Sequence, residues 1–494
     1  MNGRPGAAAL LGIDLGTSAV KVIVLAADGQ VQAAASASYP VHSPYPGWAE
    51  SDPPDWWDAV GTAAARALGD APQARVLGIG VAGQMHGVVL ADRSGAPVRP
   101  AALWADTRAC EEADRFRELP EDLLASLANP IAPGMAGPLL LWFARHESLA
   151  LDRAAWAFQP KDWLRFQLTG HAASDPTDAS ATLLYDVLTD RWAPEVLDAL
   201  GQPSAPPALL PPLRESWLRA GSLTAAAARH LGLPAGLPVA AGAADTAAAA
   251  LGGGLIDPGP MQITIGTGAQ LIVPRDKVPA DLRRITHTYR AAAPMRWYSM
   301  AAIQNAGLAL EWVIRTLRAD WEAAYGSLDA VPPGADGLVF LPYLTGERTP
   351  HLNPRLSASW AGMRLHHGRE HLLRAALEGV AFSIRDAAQA LAATGADIRG
   401  PRLAGGGSTH QKWRQLLADV LGEELYEVAS SSASARGAAM LGGVAAGTFP
   451  DVRAASELAP PPVLAATPHD ASAYDAPYQR FRAAASNSLT RPCP

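Results

Sequence analysis

The chain has 494 residues, 49% of them hydrophobic and 18% charged, with a formal net charge of −7. That length is more than one hydrophobic core supports, so two or more domains are expected. The acidic balance provides no basic face for nucleic acid or anionic lipid, and the two cysteines, Cys110 and Cys493, make neither a disulfide framework nor a metal site, which fits a reducing cytoplasm.

In chain order, the segment Ala7–Ile13 runs straight into Asp14 and reads as a first strand rather than a signal segment. Strands are expected at 10–14, 19–26 and 30–39, the last two joined by a turn at Asp28-Gly29, which makes an antiparallel meander. A helix around 56–68 and a buried strand over 76–82 follow, the strand ending at Gly83-Gln84-Met85-His86-Gly87. Strands and helices alternate onward, and Pro203–Pro212 reads as an extended surface loop. An apolar strand at 238–243 ends at Asp245; the run 239–256 is mostly Ala and Gly and no membrane span is expected there. Glycine-rich sequence at 252–260 marks a domain boundary, after which the pattern restarts at 261. The second half carries a long helix at 370–394 and a strand–glycine–helix unit at 402–421, and the last forty-odd residues read as a strap or a frayed tail.

The most informative feature is a repeat. Ile13-Asp14-Leu15-Gly16-Thr17-Ser18-Ala19 and Ile263-Thr264-Ile265-Gly266-Thr267-Gly268-Ala269 lie 250 positions apart. Each is an apolar strand that breaks into Gly-Thr-small and resumes, the pattern of a hairpin whose turn offers backbone N–H groups and a Thr hydroxyl to phosphate. Two copies suggest two similar domains facing one nucleotide, and only the first holds an acid, Asp14, suited to magnesium. A single such motif is common as an Asx-type turn; the duplication favours nucleotide binding. Lys21, on the outgoing strand, has at most a minor role.

Asp245 ends a strand among small residues. An Asp there is most often a helix N-cap, but an ionised carboxylate at a strand end can also take the proton of an attacking hydroxyl. Glycines on both sides of Gln84-Met85-His86 argue for close approach of a ligand at a strand end, against the plainer role of a core histidine beside filler methionine. Trp104, Asp106 and Arg108 provide an aromatic wall with hydrogen-bonding groups suited to a polyol, a combination that is equally often structural. Leu403-Ala404-Gly405-Gly406-Gly407-Ser408 suits a flat backbone surface against adenine and ribose, with Arg436-Gly437-Ala438-Ala439 opening a helix for which packing is the more natural role.

Taken together with Leu103-Trp104-Ala105-Asp106-Thr107-Arg108, Gln159-Pro160-Lys161-Asp162-Trp163-Leu164 and Leu344-Thr345-Gly346-Glu347-Arg348-Thr349-Pro350, these motifs resemble the FGGY carbohydrate kinases over residues 10–447. The Gln-Met-His-Gly element is the most specific; glycerol kinases carry an Arg-Glu pair where this chain has Met85-His86. The resemblance implies an α/β fold of two actin-like, ribonuclease-H-type ATPase domains with an interdomain cleft: residues 8–252, residues 260–450, and a tail over 451–494. It implies ATP-dependent phosphorylation of a ketopentose, D-xylulose, to the 5-phosphate, with ATP and Mg2+ as cofactors. By motif, Asp245 is the general base and Asp14 the second catalytic acid and magnesium partner. Gln84, Met85, His86, Trp104, Asp106 and Thr246 are carried over to the sugar, and Thr17, Gly266, Thr267, Gly405 and Gly406 to the nucleotide. The chain departs from the pattern at Thr246, where an Asn is common, and at Gly268-Ala269, where Ser-Gly is common; the first bears on sugar preference. A homodimer is an expectation by analogy, and the partners are small molecules, not nucleic acid or membrane. The competing readings are a kinase for another ketose or polyol, such as ribulose, and a non-catalytic actin-like sensor or filament protein, which would not need the Gln-Met-His-Gly and Trp-x-Asp-x-Arg elements.

Overall fold

The computed structural model describes residues 7–201, 209–279, 283–428 and 432–489; most of the expected loop at 203–212 lies outside them. The chain opens with β1 (Ala7–Leu15), β2 (Ala19–Ala26) and β3 (Val31–Ser38), an antiparallel meander, followed by α1 (Pro53–Asp70) and β4 (Ala74–Gly83), which runs parallel to β1. Leu10, Leu11, Ile13, Val22, Ile23 and Val24 are all fully buried. A continuous apolar run, rather than an alternating one, is what a sheet covered on both faces requires. One cover is α1, whose Trp56, Val60, Ala63, Ala64 and Ala67 form the stripe that packs into the first core.

Helix α2 (Pro160–Thr169) and the single turn α3 (Pro176–Ala179) lead to β5 (Arg219–Ser222), β6 (Pro238–Ala240) and β7 (Ala243–Ala244). The strand expected over 238–243 is therefore two short strands. Gly242 separates them at φ +85°, where a Cβ would lie 2.2 Å from the Val81 carbonyl oxygen; only glycine fits that approach. Helix α4 (Asp245–Gly252) follows directly.

The second half repeats the order. It has β8 (Pro260–Ile265), β9 (Ala269–Arg275), β10 (His287–Arg290), β11 (Trp297–Ile303), α5 (Arg369–Ala393), β12 (Arg399–Ala404), α6 (Gln411–Leu421), β13 (Leu425–Glu427), α7 (Ala433–Ala445), β14 (Val463–Ala466) and α8 (Asp475–Leu489). The first sheet runs β5-β6-β4-β1-β2-β3, with β7 also on β4, and the second runs β10-β11-β9-β8-β12-β13-β14. Stripped of outer strands, β3-β2-β1-β4-β6 and β11-β9-β8-β12-β13 are the same arrangement, with the same antiparallel and parallel pairings. The duplication read from two loops extends to whole domains.

Packing does not follow the chain boundary near 252–260. Helix α7, from the second half, lies on β1 and β4 of the first sheet: a Cβ on Gly12 would sit 1.9 Å from the Ala435 oxygen, and one on Gly80 1.7 Å from the Ala438 oxygen. Helix α4 crosses α7 equally closely, with Gly437 against Ala248 and Gly252 against Ala433. Around this crossing a third core joins Leu10, Ile23 and Leu25 of one sheet to Ile272, Tyr298 and Met300 of the other. The segment at 436–439 therefore packs between the domains. The tail is a strap, not frayed, over its described part: β14 extends the second sheet, and Tyr474, Tyr478 and Phe481 sit in the second core.

Candidate active site

Parallel strands β1, β4 and β7 end level with one another: Asp14 pairs with Ala82 and Leu15 with Gly83, while Ala82 pairs with Ala243 and Gly83 with Ala244. The residues that leave these ends are Asp14, Gln84 and Asp245, so three adjacent strands deliver them side by side at the carboxyl edge, where open α/β sheets bind ligands. Asp245 is the first residue of α4, not its cap. Its Oδ1 accepts the Thr246 N–H at 2.5 Å and the Thr246 hydroxyl at 3.1 Å. Burial raises its carboxyl to about 6, against those two bonds. Asp14 is pushed up to about 7, first by burial and then by the charge of Asp245, with Lys21 opposing. Two carboxylates that share a recess and repel one another suit a hard divalent cation, which would restore both to the ionised form.

The first turn is braced from beneath. Gln84 donates its backbone N–H to Leu15 O at 2.8 Å and its side-chain amide to Gly16 O at 3.2 Å, and the Tyr39 hydroxyl donates to the same Gly16 oxygen. Gln84 thus supports the loop, and its Oε1 is buried. Thr17 Oγ1 accepts the Trp104 indole N–H at 2.9 Å, tying the half-exposed tryptophan to this turn. Met85 is buried among Ala82, Ala243 and Ala244. His86 adopts φ +75°, and its Nδ1 lies 2.8 Å from Ala181 O. A carbonyl only accepts, so Nδ1 carries the proton and Nε2 is left as an acceptor. Burial first, and then the Arg348 guanidinium, push His86 down to about 4, so the ring is neutral.

Asp106 is not brought to the cleft. Fully buried, it accepts from Ala49 N at 2.8 Å and from the Arg108 backbone and guanidinium at 2.6 to 2.9 Å. Arg108 in turn reaches Glu50 and stacks 3.5 Å from the Trp48 ring. The motif's charges hold the Trp104 loop in place.

In the second domain, β8 and β12 end together, with Thr264 opposite Ala404, which places Gly266-Thr267 beside Gly405-Gly406. Gly405 has φ +85°, and a Cβ there would strike the Ile265 oxygen at 2.4 Å. By contrast, Gly266 and Gly406 are exposed and a Cβ on either would meet nothing within 4 Å. The result is an open shelf of bare backbone. Gly268 is required by packing, its Cβ position being 2.3 Å from Ile303 O. The turn is held by Gly307 N on Gly266 O and by Ala306 N and Leu308 N on Thr267 O.

Models of the FGGY family of carbohydrate kinases match residues 9–252 for the N-terminal domain and 261–446 for the C-terminal domain. The chain belongs to the FGGY family of carbohydrate kinases. The kinase is 36% identical over 439 residues to a xylulose kinase of Escherichia coli strain K12, covering 88% of this chain and 90% of the relative. It is similar to the crystal structure of a "xyloylose kinase" from Brucella ovis, with TM-score 0.91 at 34% identity over 97% of this chain and 100% of the other. It is also similar to a xylulose kinase from Rhodospirillum rubrum, with TM-score 0.89 at 30% identity over 97% and 98% of the two chains. Among the described residues of the kinase no helix is long and apolar enough to cross a membrane.

Two groups were not singled out by sequence reasoning. Arg348 belongs to a quoted motif, but only the folded chain shows its charge acting on His86 and His287. A buried cluster around Lys161 reaches, through Thr177, the residue before Asp245; Lys161 and Asp162 stand in a quoted motif, but nothing in the sequence says that they close on Arg165, Asp175 and Asp178.

Proposed function

We propose that the chain transfers the γ-phosphoryl group of MgATP to O5 of D-xylulose. What carries the reading is Asp245, a recessed carboxylate with one oxygen fixed by Thr246, whose charge acts on Asp14. Asp245 takes the proton from the terminal hydroxyl as that oxygen attacks phosphorus. Phosphoryl transfer asks for position and charge neutralisation more than covalent chemistry. His86 Nε2 accepts a hydrogen bond from a sugar hydroxyl, Met85 provides an apolar wall, and Trp104 covers the sugar beside the first turn. Gly266, Thr267 and Gly406 present the shelf for ATP across the cleft, with Gly405 shaping it. Asp14 would hold magnesium, which would supply charge neutralisation at the phosphate oxygens when bound. Closure of the two domains excludes water and limits ATP hydrolysis.

The test is ADP release from MgATP with D-xylulose, D-ribulose, L-ribulose, L-xylulose and glycerol offered in parallel. The reading predicts the highest kcat/KM for D-xylulose. If another ketose leads, the sugar assignment is wrong and Thr246 is the first position to exchange. No release with any of them contradicts the reading altogether.

A further inference from the structure

Behind the strand ends lies a group of charges with no access to solvent. Lys161 Nζ is 2.5 Å from Asp162 Oδ1, 2.8 Å from Asp175 Oδ1 and 3.0 Å from Asp178 Oδ2, and Arg165 Nη1 is 2.9 Å from Asp162 Oδ1. All five side chains are fully buried. Burying so many ions is a poor way to stabilise a fold, since well-packed apolar residues of similar size do as well or better. What the cluster does provide is direction. Arg165 also donates to Ala173 O and Asp162 accepts from Ser174 Oγ at 2.6 Å, but two further bonds reach the short run of backbone that delivers Asp245. Arg165 Nη1 donates to Ala241 O at 3.0 Å, and the Thr177 hydroxyl accepts the Ala244 N–H at 2.8 Å. That hydroxyl has one proton, which it gives to Asp175 Oδ2 at 2.7 Å, so its lone pair faces Ala244. Ser216 Oγ donates to the same Asp175 oxygen at 2.6 Å, and Ser216 O accepts from Gly242 N at 3.0 Å.

The same segment reaches the sugar side and the other domain. Ala181 O holds the His86 ring, the Ser180 hydroxyl accepts from Arg290 N at 3.0 Å, and Asn129 bridges Ser180 O to Thr288 on β10. Residues 175–181 thus touch the base-bearing strand, the sugar histidine and the second sheet within two turns of chain.

We propose that Thr177 is a positioning residue for phosphoryl transfer: oriented by Asp175 and Lys161, its hydroxyl fixes the Ala244 amide and thereby the line along which Asp245 enters the cleft. The inference rests on the reading of Asp245 as the base. A displacement of about 1 Å at a reacting group is enough to cost on the order of 100-fold in rate.

The experiment is a double-mutant cycle on the full chain, with ADP release measured with MgATP and D-xylulose. Thr177→Val, which keeps the shape and removes the hydroxyl, is expected to lower kcat by about 10- to 100-fold with KM for ATP within about twofold. Thr177→Ser, which restores the hydroxyl, is expected within about threefold of wild type. In an Asp245→Asn background, Thr177→Val should cause no further loss beyond about threefold, because the group it positions is gone. A merely structural role would lower turnover equally in both backgrounds, and that result overturns the proposal, as does a Thr177→Val enzyme within threefold of wild type. If Thr177→Val does not fold, Thr177→Ala removes the same hydroxyl without a clash and is carried through the same cycle. A wild-type chain that turns over no sugar refutes the proposed function itself, whereas an active wild type with an additive cycle refutes only the role of Thr177.

Discussion

Asp245→Asn tests the base by two readouts that move in opposite directions. Asparagine keeps an acceptor oxygen for the Thr246 N–H and hydroxyl and cannot take a proton. Loss of a general base costs on the order of 100- to 10,000-fold in kcat, about 3 to 5 kcal/mol of transition-state stabilisation. Stability should rise. Burial lifts the carboxyl from 3.8 to about 6, which at about 1.36 kcal/mol per pH unit is a native-state cost of at most about 3 kcal/mol for the ionised form. The sign follows from proton counting. Between about pH 4 and 6 the native state holds a proton that the unfolded chain has lost, so the cost is present in full above about 6 and relieved as the pH falls toward 4. Asp245→Asn should therefore raise the unfolding free energy at pH 8 by up to about 3 kcal/mol, and the gain should vanish near pH 4. Urea unfolding across that range, with ATP binding by calorimetry and ADP release at pH 8, reads all the terms. A variant within about tenfold of wild-type kcat, or one no more stable at pH 8 than at pH 4 relative to wild type, refutes the reasoning.

His86→Ala removes a neutral acceptor and should raise the sugar KM by about 10- to 100-fold while leaving the ATP KM within about twofold. Because the His86 ring is held down to about 4, the wild-type sugar KM should show no histidine titration between about pH 5 and 8. Gly406→Val adds a side chain into space that holds no protein atom within 4 Å of the Cβ; the ATP KM should rise at least about tenfold with the unfolding midpoint unchanged. Gly437→Ala forces a Cβ to 1.9 Å from Ala248 O at the α4–α7 crossing and should cost about 3 kcal/mol, the upper end for overpacking, in urea unfolding.

The repeat of Gly16-Thr17 at Gly266-Thr267 was legible because a phosphate hairpin needs small residues at fixed positions, and Asp245 because an acid stood alone among alanines. The close approach at Gly12, Gly78 and Gly80 was not read from the sequence, because nothing local tells which helix approaches. Helix α7 comes from more than 350 residues away and is mostly Ala and Gly. Asp106 and Lys161 show the other limit. A carboxylate that binds sugar and one that closes on Arg108 have the same sequence signature, and only the bonds from Ala49 and Arg108 decide between them. Thr177 left no signal at all, since its role depends on a backbone amide 67 residues away.

The measurement that bears most directly on the account is the product itself: wild type and Asp245→Asn incubated with MgATP and D-xylulose, with ADP and phosphorylated sugar quantified and the position of the phosphate read by phosphorus NMR. The account predicts one D-xylulose 5-phosphate per ADP from the wild type and on the order of 1% of that rate or less from Asp245→Asn. ADP without sugar phosphate, phosphate on another hydroxyl, or an Asp245→Asn enzyme that keeps pace with wild type would contradict it.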